Sequence, residues 1–167
     1  MKKLILVGKT QCGKTTLTQR ILNEDIKYHK TQALDLVGKF IYDTPGEYLE
    51  KKFYRGALFV AAAEADLMVF MQSAADKDTT YFPPMYSALF PKPIIGLVTK
   101  CDIATPEQIE AAKVALYEAG VPAEKVYVIS SVTGEGFDVL LDEIGVTDED
   151  IKEMREAERL KLLEEQE

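Results

Sequence analysis

The segment Gly8-Lys9-Thr10-Gln11-Cys12-Gly13-Lys14-Thr15 satisfies every fixed position of the pattern G-x-x-x-x-G-K-[ST]. That spacing captures a polyphosphate. Glycines let backbone N–H groups turn inward around an anion, and the helix that follows adds the positive end of its dipole. Lys14 is then placed to reach the β- and γ-phosphates, and Thr15 to hold Mg²⁺ through its hydroxyl. Gly8, Lys9, Thr10, Gln11, Cys12, Gly13 and Thr16 complete the nucleotide-binding candidates. The competing explanation is a plain glycine-rich turn, but roughly 0.01 accidental matches are expected in a chain of this length at average composition.

Two further segments extend the chemistry. Asp43-Thr44-Pro45-Gly46 ends an apolar run. Its carboxylate could bind Mg²⁺ through a water, and the Gly46 N–H could meet the γ-phosphate. Alone, Asp-x-Pro-Gly is a common turn; one strand downstream of a phosphate loop, it acquires meaning. Thr31, in a polar loop, is the candidate for a second contact to Mg²⁺ and the γ-phosphate. Thr99-Lys100-Cys101-Asp102 addresses the base. The Asp102 carboxylate could accept from guanine N1–H and the 2-amino group, a donor pair adenine lacks, while the Lys100 stem lies along the purine face. A solvated Lys/Asp turn is the alternative there. Ser130, Ser131 and Val132 are candidates for a backbone contact to guanine O6, although the triplet by itself carries no information. The catalytic set is thus Lys14, Thr15, Thr31 and Gly46, the metal set Thr15, Thr31 and Asp43. The implied ligands are Mg²⁺ and GTP or GDP, with ATP as the alternative.

The elements that must position these residues alternate between strand and helix, as in a mostly parallel sheet covered on both faces. Leu4 to Val7, Leu67 to Met71 and Ile94 to Val98 are short apolar runs of the kind buried on both sides. Phe40 to Tyr42 and Val126 to Ile129 read as further strands. Helices are expected over Thr15 to Leu22, Tyr54 to Ala65, Thr105 (as N-cap) to Gly120, and Gly136 to Ile144 ending at Gly145. Between Ala74 and Pro93 the prolines allow only a short helix around Met85 to Phe90.

The chain of 167 residues suits one domain with a substantial core. No apolar run approaches the roughly 18 residues of a membrane span, and Leu4 to Val7 is too short for a secretory signal. Cys12 and Cys101 form no disulfide framework, so the cytoplasm is the expected location. Thr147 to Glu167 holds nine acids and four bases, a net of −5 that leaves −3 of the total −8 to the rest. No basic stripe supports nucleic-acid binding, and nothing supports membrane insertion. Domain bounds of 1–145 and 146–167 follow, the second an acidic helix. Thr147-Asp148-Glu149-Asp150 nearly forms a capping box, and Ile151, Met154, Leu160 and Leu163 give a thin apolar stripe. Either this helix docks on the domain or it recognises a partner.

In order and spacing the four motifs resemble those of translation-factor-type GTPases. Lys30-Thr31-Gln32-Ala33, Asp43 to Tyr48, Phe82-Pro83-Pro84-Met85 and Gly96 to Lys100 together look like the EutP/PduV family, over about residues 1–145. The resemblance implies a Ras-like P-loop domain with a mostly parallel six-stranded sheet. It also implies a place in bacterial ethanolamine or propanediol utilisation, and association with a microcompartment shell or enzyme. Three positions depart from the pattern. Glu47 stands where many GTPases carry a water-orienting Gln, which implies slow hydrolysis, unless Glu47 is simply solvated. Gln11 replaces an Asn associated with potassium activation. Thr99 replaces the usual Asn, which is expected to weaken a link to the phosphate loop. Cys12 and Cys101 read better as small buried residues than as a redox switch, and His29 better as a surface residue than as a base. An ATP-dependent phosphotransferase making or using acetyl phosphate, and a non-catalytic nucleotide-binding adaptor, remain as alternatives.

Overall fold

Leu4–Gly8 forms the central strand β1, buried along its whole length. The computed structural model describes residues 2–9, 11–21, 35–37, 41–44, 55–76 and 82–164, with only the backbone at 35–37, 43, 55, 154, 155, 158 and 161. The other strands are β2 (Asp35–Val37), β3 (Ile41–Asp43), β4 (Leu67–Ser73), β5 (Ile94–Thr99) and β6 (Val126–Val128). They pair in the order β2-β3-β1-β4-β5-β6. Five strands run parallel, and β2 lies antiparallel on the edge beside β3. The α/β class and the mostly parallel sheet are therefore as expected. Neighbours of β1 were visited in opposite directions by the chain, so β1 stands at the point where the strand order reverses. Ligands of open α/β sheets bind outside the carboxyl ends of the strands at such a point.

The helices are α1 (Lys14–Ile21), α2 (Arg55–Glu64), α3 (Pro106–Glu118), α4 (Phe137–Ile144) and α5 (Asp148–Glu164). Alternate strand residues feed two cores, which is why the runs read as continuously apolar. Leu4, Leu6, Val69, Met71 and Leu97 meet α1 and α4 on one face. Ile5, Val7, Met68, Phe70 and Val98 meet α2 and α3 on the other. Fully burying each such side chain is worth about 1.5–3 kcal/mol.

The proline-rich stretch has a packing role. It forms one 3-10 turn, Tyr86–Leu89, and stacks Phe82 on Phe70 with centroids 4.9 Å apart, while Tyr86 meets Phe90 edge-on at 5.4 Å. Thr105 and Gln108 cap α3 reciprocally, Gln108 N–H donating to Thr105 Oγ1 at 3.2 Å and Thr105 N–H to Gln108 Oε1 at 2.8 Å. Gly145 ends α4 with φ of 67°. Thr147 and Asp150 do the same for the start of α5, Thr147 N–H donating to Asp150 Oδ2 at 2.8 Å. Ile151 packs on the α1–α4 core, whereas Leu160 and Leu163 are exposed. The tail helix thus docks at its root and presents the far part of its stripe to solvent.

Candidate nucleotide-binding site

The phosphate loop grows directly from the end of β1. A Cβ on Gly8 would lie 2.6 Å from Cys12 Sγ and 2.7 Å from the Met71 carbonyl oxygen, so the turn closes too tightly for any side chain. Gln11 and Gly13 both adopt left-handed backbone, φ 66° and 104°. Cys12 N–H closes the turn on the Lys9 carbonyl at 3.1 Å, and Leu17 N–H begins the α1 ladder on the Gly13 carbonyl at 2.9 Å. Lys9 and Asp76 form a loose ion pair at the rim, 3.8 Å apart. Thr15 and Thr16, in the first turn of α1, are half-buried. Thr10 lies outside the described residues.

Lys14 is only 6% exposed, and its ammonium is held by its own loop. Nζ donates to the Gly8 carbonyl at 2.8 Å, to the Lys9 carbonyl at 3.0 Å and to Cys12 Sγ at 3.7 Å. These acceptors offset the desolvation of a buried cation. The weak contact to Cys12 Sγ is the one Lys14 gives up at least cost in turning to a polyphosphate.

The Thr99–Asp102 segment is fastened to this loop twice. Thr99, 2% exposed at the end of β5, donates from Oγ1 to the Cys12 carbonyl at 2.6 Å. Threonine, expected to make a weaker link here than asparagine, makes it with one short hydrogen bond. Lys100 Nζ donates to the Gln11 carbonyl at 2.6 Å, so the side chain expected along the purine face also bridges the two loops. Lys100 takes a left-handed backbone, φ 61°, to turn the chain into the Cys101–Ile103 turn.

Asp102 is exposed and is aimed by Ser130, whose Oγ donates to Asp102 Oδ1 at 2.9 Å and accepts from Thr133 N–H at 3.1 Å. Ser130 is completely buried, Ser131 is buried, and the Val132 side chain is 61% exposed at the rim. The triplet that carried no signal in isolation therefore contains the residue that holds the Asp102 carboxylate. Cys101 is buried and donates weakly to Glu135 Oε2 at 3.5 Å. Burial first, then that contact, push its thiol up to about 11, and Cys12 is 1% exposed. Both cysteines are packing residues, and the Cys101 thiol stays protonated at neutral pH.

On the other flank of β1, Leu6 pairs in register with Asp43 at the end of β3. Thr44 is buried and donates from Oγ1 to the Leu6 carbonyl at 2.6 Å, a positioning role that its place inside a turn motif did not reveal. The Asp43 side chain, Thr31, Gly46, Glu47 and His29 lie outside the described residues. Among the described residues no group of three or more His, Cys, Asp or Glu could hold a metal. The sequence places a hydroxyl (Thr15) and a carboxylate (Asp43) beside a phosphate site, a hard-oxygen set that fits Mg²⁺. Nor is any described helix long and apolar enough to cross a membrane.

Comparison with known proteins agrees with this geometry. A family model described as ethanolamine utilisation – propanediol utilisation matches residues 1–145. The propanediol utilization protein PduV of Citrobacter freundii is 41% identical over 138 residues, 83% of this chain and 89% of that protein. A protein named "Probable acetate kinase EutP" from Escherichia coli (strain K12) is 26% identical over 142 residues, 85% and 88% of the two chains. Among solved structures, an Aquifex aeolicus Era variant bound to GDP·AlF4⁻ superposes with a TM-score of 0.62 at 21% identity, over 86% of this chain and 56% of that one. A bacterial selenocysteine-specific elongation factor gives 0.59 at 17%, over 93% and 29%. At these identities the likeness is one of fold. The chain belongs to the PduV–EutP family of ethanolamine and propanediol utilisation, built on the fold of the P-loop GTPases.

Proposed function

We propose that this protein binds a guanine nucleotide with Mg²⁺ and hydrolyses it slowly, cycling between GTP and GDP states in ethanolamine or propanediol utilisation. The observation that carries the proposal is the double fastening of the Asp102 segment to the phosphate loop, through Thr99 and Lys100, with Ser130 aiming the carboxylate. A base reader held at fixed distance from a phosphate cradle selects one whole nucleotide, since neither part alone does so.

In this assignment the loop from Gly8 to Thr16 wraps the phosphates, and Asp102 accepts from the guanine edge while Ser131 and Val132 line its far side. Lys14 offsets charge on the β- and γ-phosphates, which is where electrostatic stabilisation lowers the barrier to phosphoryl transfer. Mg²⁺, when bound, would neutralise further phosphate charge, held by Thr15, Thr31 and Asp43. Thr31 and Gly46 report the γ-phosphate. Residues 1–145 constitute the nucleotide domain and 146–167 a separate acidic helix. The cytoplasm and a microcompartment partner belong to the same proposal, on the strength of the family.

Titration of GTP, ATP and XTP with product analysis tests it. Guanine nucleotides are expected to bind best, and Asp102→Asn to shift preference toward xanthine. ATP binding as tight as GTP binding would sink the guanine assignment. A second reading, ATP-dependent phosphotransfer to acetate, is favoured by the name the EutP relatives carry, probable acetate kinase. Acetyl phosphate formed in the presence of acetate separates it from a hydrolase, which releases phosphate to water.

A further inference from the structure

The turn from Ser130 to Gly136 holds the Asp102 carboxylate through Ser130. It contains two left-handed glycines, Gly134 at φ 85° and Gly136 at φ 74°, the residue type that loses most freedom on being fixed. Gly134 N–H donates to the Ser130 carbonyl at 2.8 Å, and Ser130 N–H to the Glu135 carbonyl at 3.0 Å. Thr133 N–H donates to Ser130 Oγ at 3.1 Å. That bond uses the hydroxyl oxygen as acceptor and leaves its proton to Asp102 Oδ1. If Thr133 drifted, the hydroxyl would be free to rotate and the carboxylate would lose its aim.

Arg20 braces this turn from outside. It stands in the last turn of α1, about 9 Å along the helix from Lys14. A Cβ on Gly134 would run into Nη2 of Arg20 and stand 3.3 Å from its Cζ. Positive φ alone would admit an asparagine, but the guanidinium leaves no room for a side chain. Its Cζ also lies 5.8 Å from the centre of the Phe137 ring, within the range of a cation–π contact. Phe137 is buried in the α1–α4 core, and its N–H donates to the Gly134 carbonyl at 3.2 Å. One side chain of the helix that follows the phosphate loop thus meets both Gly134 and the ring bonded to it.

We infer that Arg20 is a positioning residue for guanine recognition. It carries the position of α1 to the Ser130–Gly136 turn, and through Thr133 and Ser130 to the Asp102 carboxylate. This rests on the guanine-nucleotide function proposed above. Without its brace the turn populates the competent arrangement less, and apparent affinity falls by that fraction. The fall is larger for guanine, which offers Asp102 both N1–H and the 2-amino group, than for hypoxanthine, which offers N1–H alone.

Calorimetric titration of the full chain with Mg²⁺ and GTP, and with Mg²⁺ and ITP, is the test. The parent is expected to prefer GTP, and Arg20→Ala to lower that preference about threefold, within what one cation–π contact supplies. Arg20→Lys keeps the stem and the charge without the planar guanidinium, and its preference is expected to fall between the two. An arginine that only added stability would weaken both nucleotides by one factor. A parental preference in Arg20→Ala overturns the role of Arg20 while the parent's binding stands. Should the alanine variant not fold, a parental preference in Arg20→Lys does the same. A parent chain that binds neither nucleotide, or both alike, overturns the underlying guanine assignment as well.

Discussion

Replacing Thr99 by valine exchanges a hydroxyl for a methyl group of nearly the same size at a position 2% exposed. What is lost is the donation to the Cys12 carbonyl at 2.6 Å, a contact between residues 87 apart in sequence. No void opens, so the cavity penalty of large-to-small substitutions does not enter. A methyl group standing where Oγ1 lies 2.6 Å from the Cys12 carbonyl oxygen is too close for a non-bonded carbon, so the side chain or the loop must also give by a few tenths of an ångström. The remaining effect is removal of a donor from a buried acceptor, worth about 1–3 kcal/mol. We expect a stability loss of about 2 kcal/mol in urea unfolding of the nucleotide-free protein, with an unchanged m-value. Nucleotide affinity should also fall, because the Asp102 segment loses one of its two ties to the phosphate loop. Thr99→Ser keeps the hydroxyl and gives up one methyl group, so its loss is about 1 kcal/mol and its nucleotide affinity stays near that of the parent. A valine variant that unfolds within about 0.3 kcal/mol of the parent, well below the cost of a lost buried hydrogen bond, would refute the reasoning.

Other consequences are equally direct. Burial and Glu135 raise the Cys101 thiol from 9.0 to about 11. The stability it lends is whole below about pH 9 and disappears as pH rises through about 11, up to about 3 kcal/mol. Cys101→Ala should flatten the alkaline limb of a stability–pH profile, and identical limbs in parent and variant would contradict the assignment. At the tail, hydrogen bonds from the Thr147 side chain and then its backbone hold the Asp150 carboxyl below its ordinary value. Its contribution is present above that value and lost as pH falls through the lowered one. Thr147→Ala should cost the first turn of α5 about 1 kcal/mol at neutral pH, read by amide exchange. The difference between parent and variant should shrink below about pH 4, and a difference independent of pH would exclude the cap.

The sequence alone determined the phosphate loop, because wrapping an anion in backbone N–H groups is a local matter of glycines, a lysine and a hydroxyl at fixed spacing. The four-residue motifs Asp43 to Gly46 and Thr99 to Asp102, the Thr105 cap and the Gly145 stop were legible for the same reason. Five strands announced themselves by apolar runs. β2, with an acid in three residues at the sheet edge, offers too short a pattern to be found. The tertiary structure alone decided what joins the motifs. Thr99 to Cys12, Lys100 to Gln11 and Thr44 to Leu6 all depend on the order β3-β1-β4-β5. Hydrophobic periodicity fixes which face of a strand is buried, but it is indifferent to which strand lies beside it. Thr99 shows the consequence. By residue type it looked like a weakened link, and only the neighbouring strand ends reveal that its hydroxyl spans the gap.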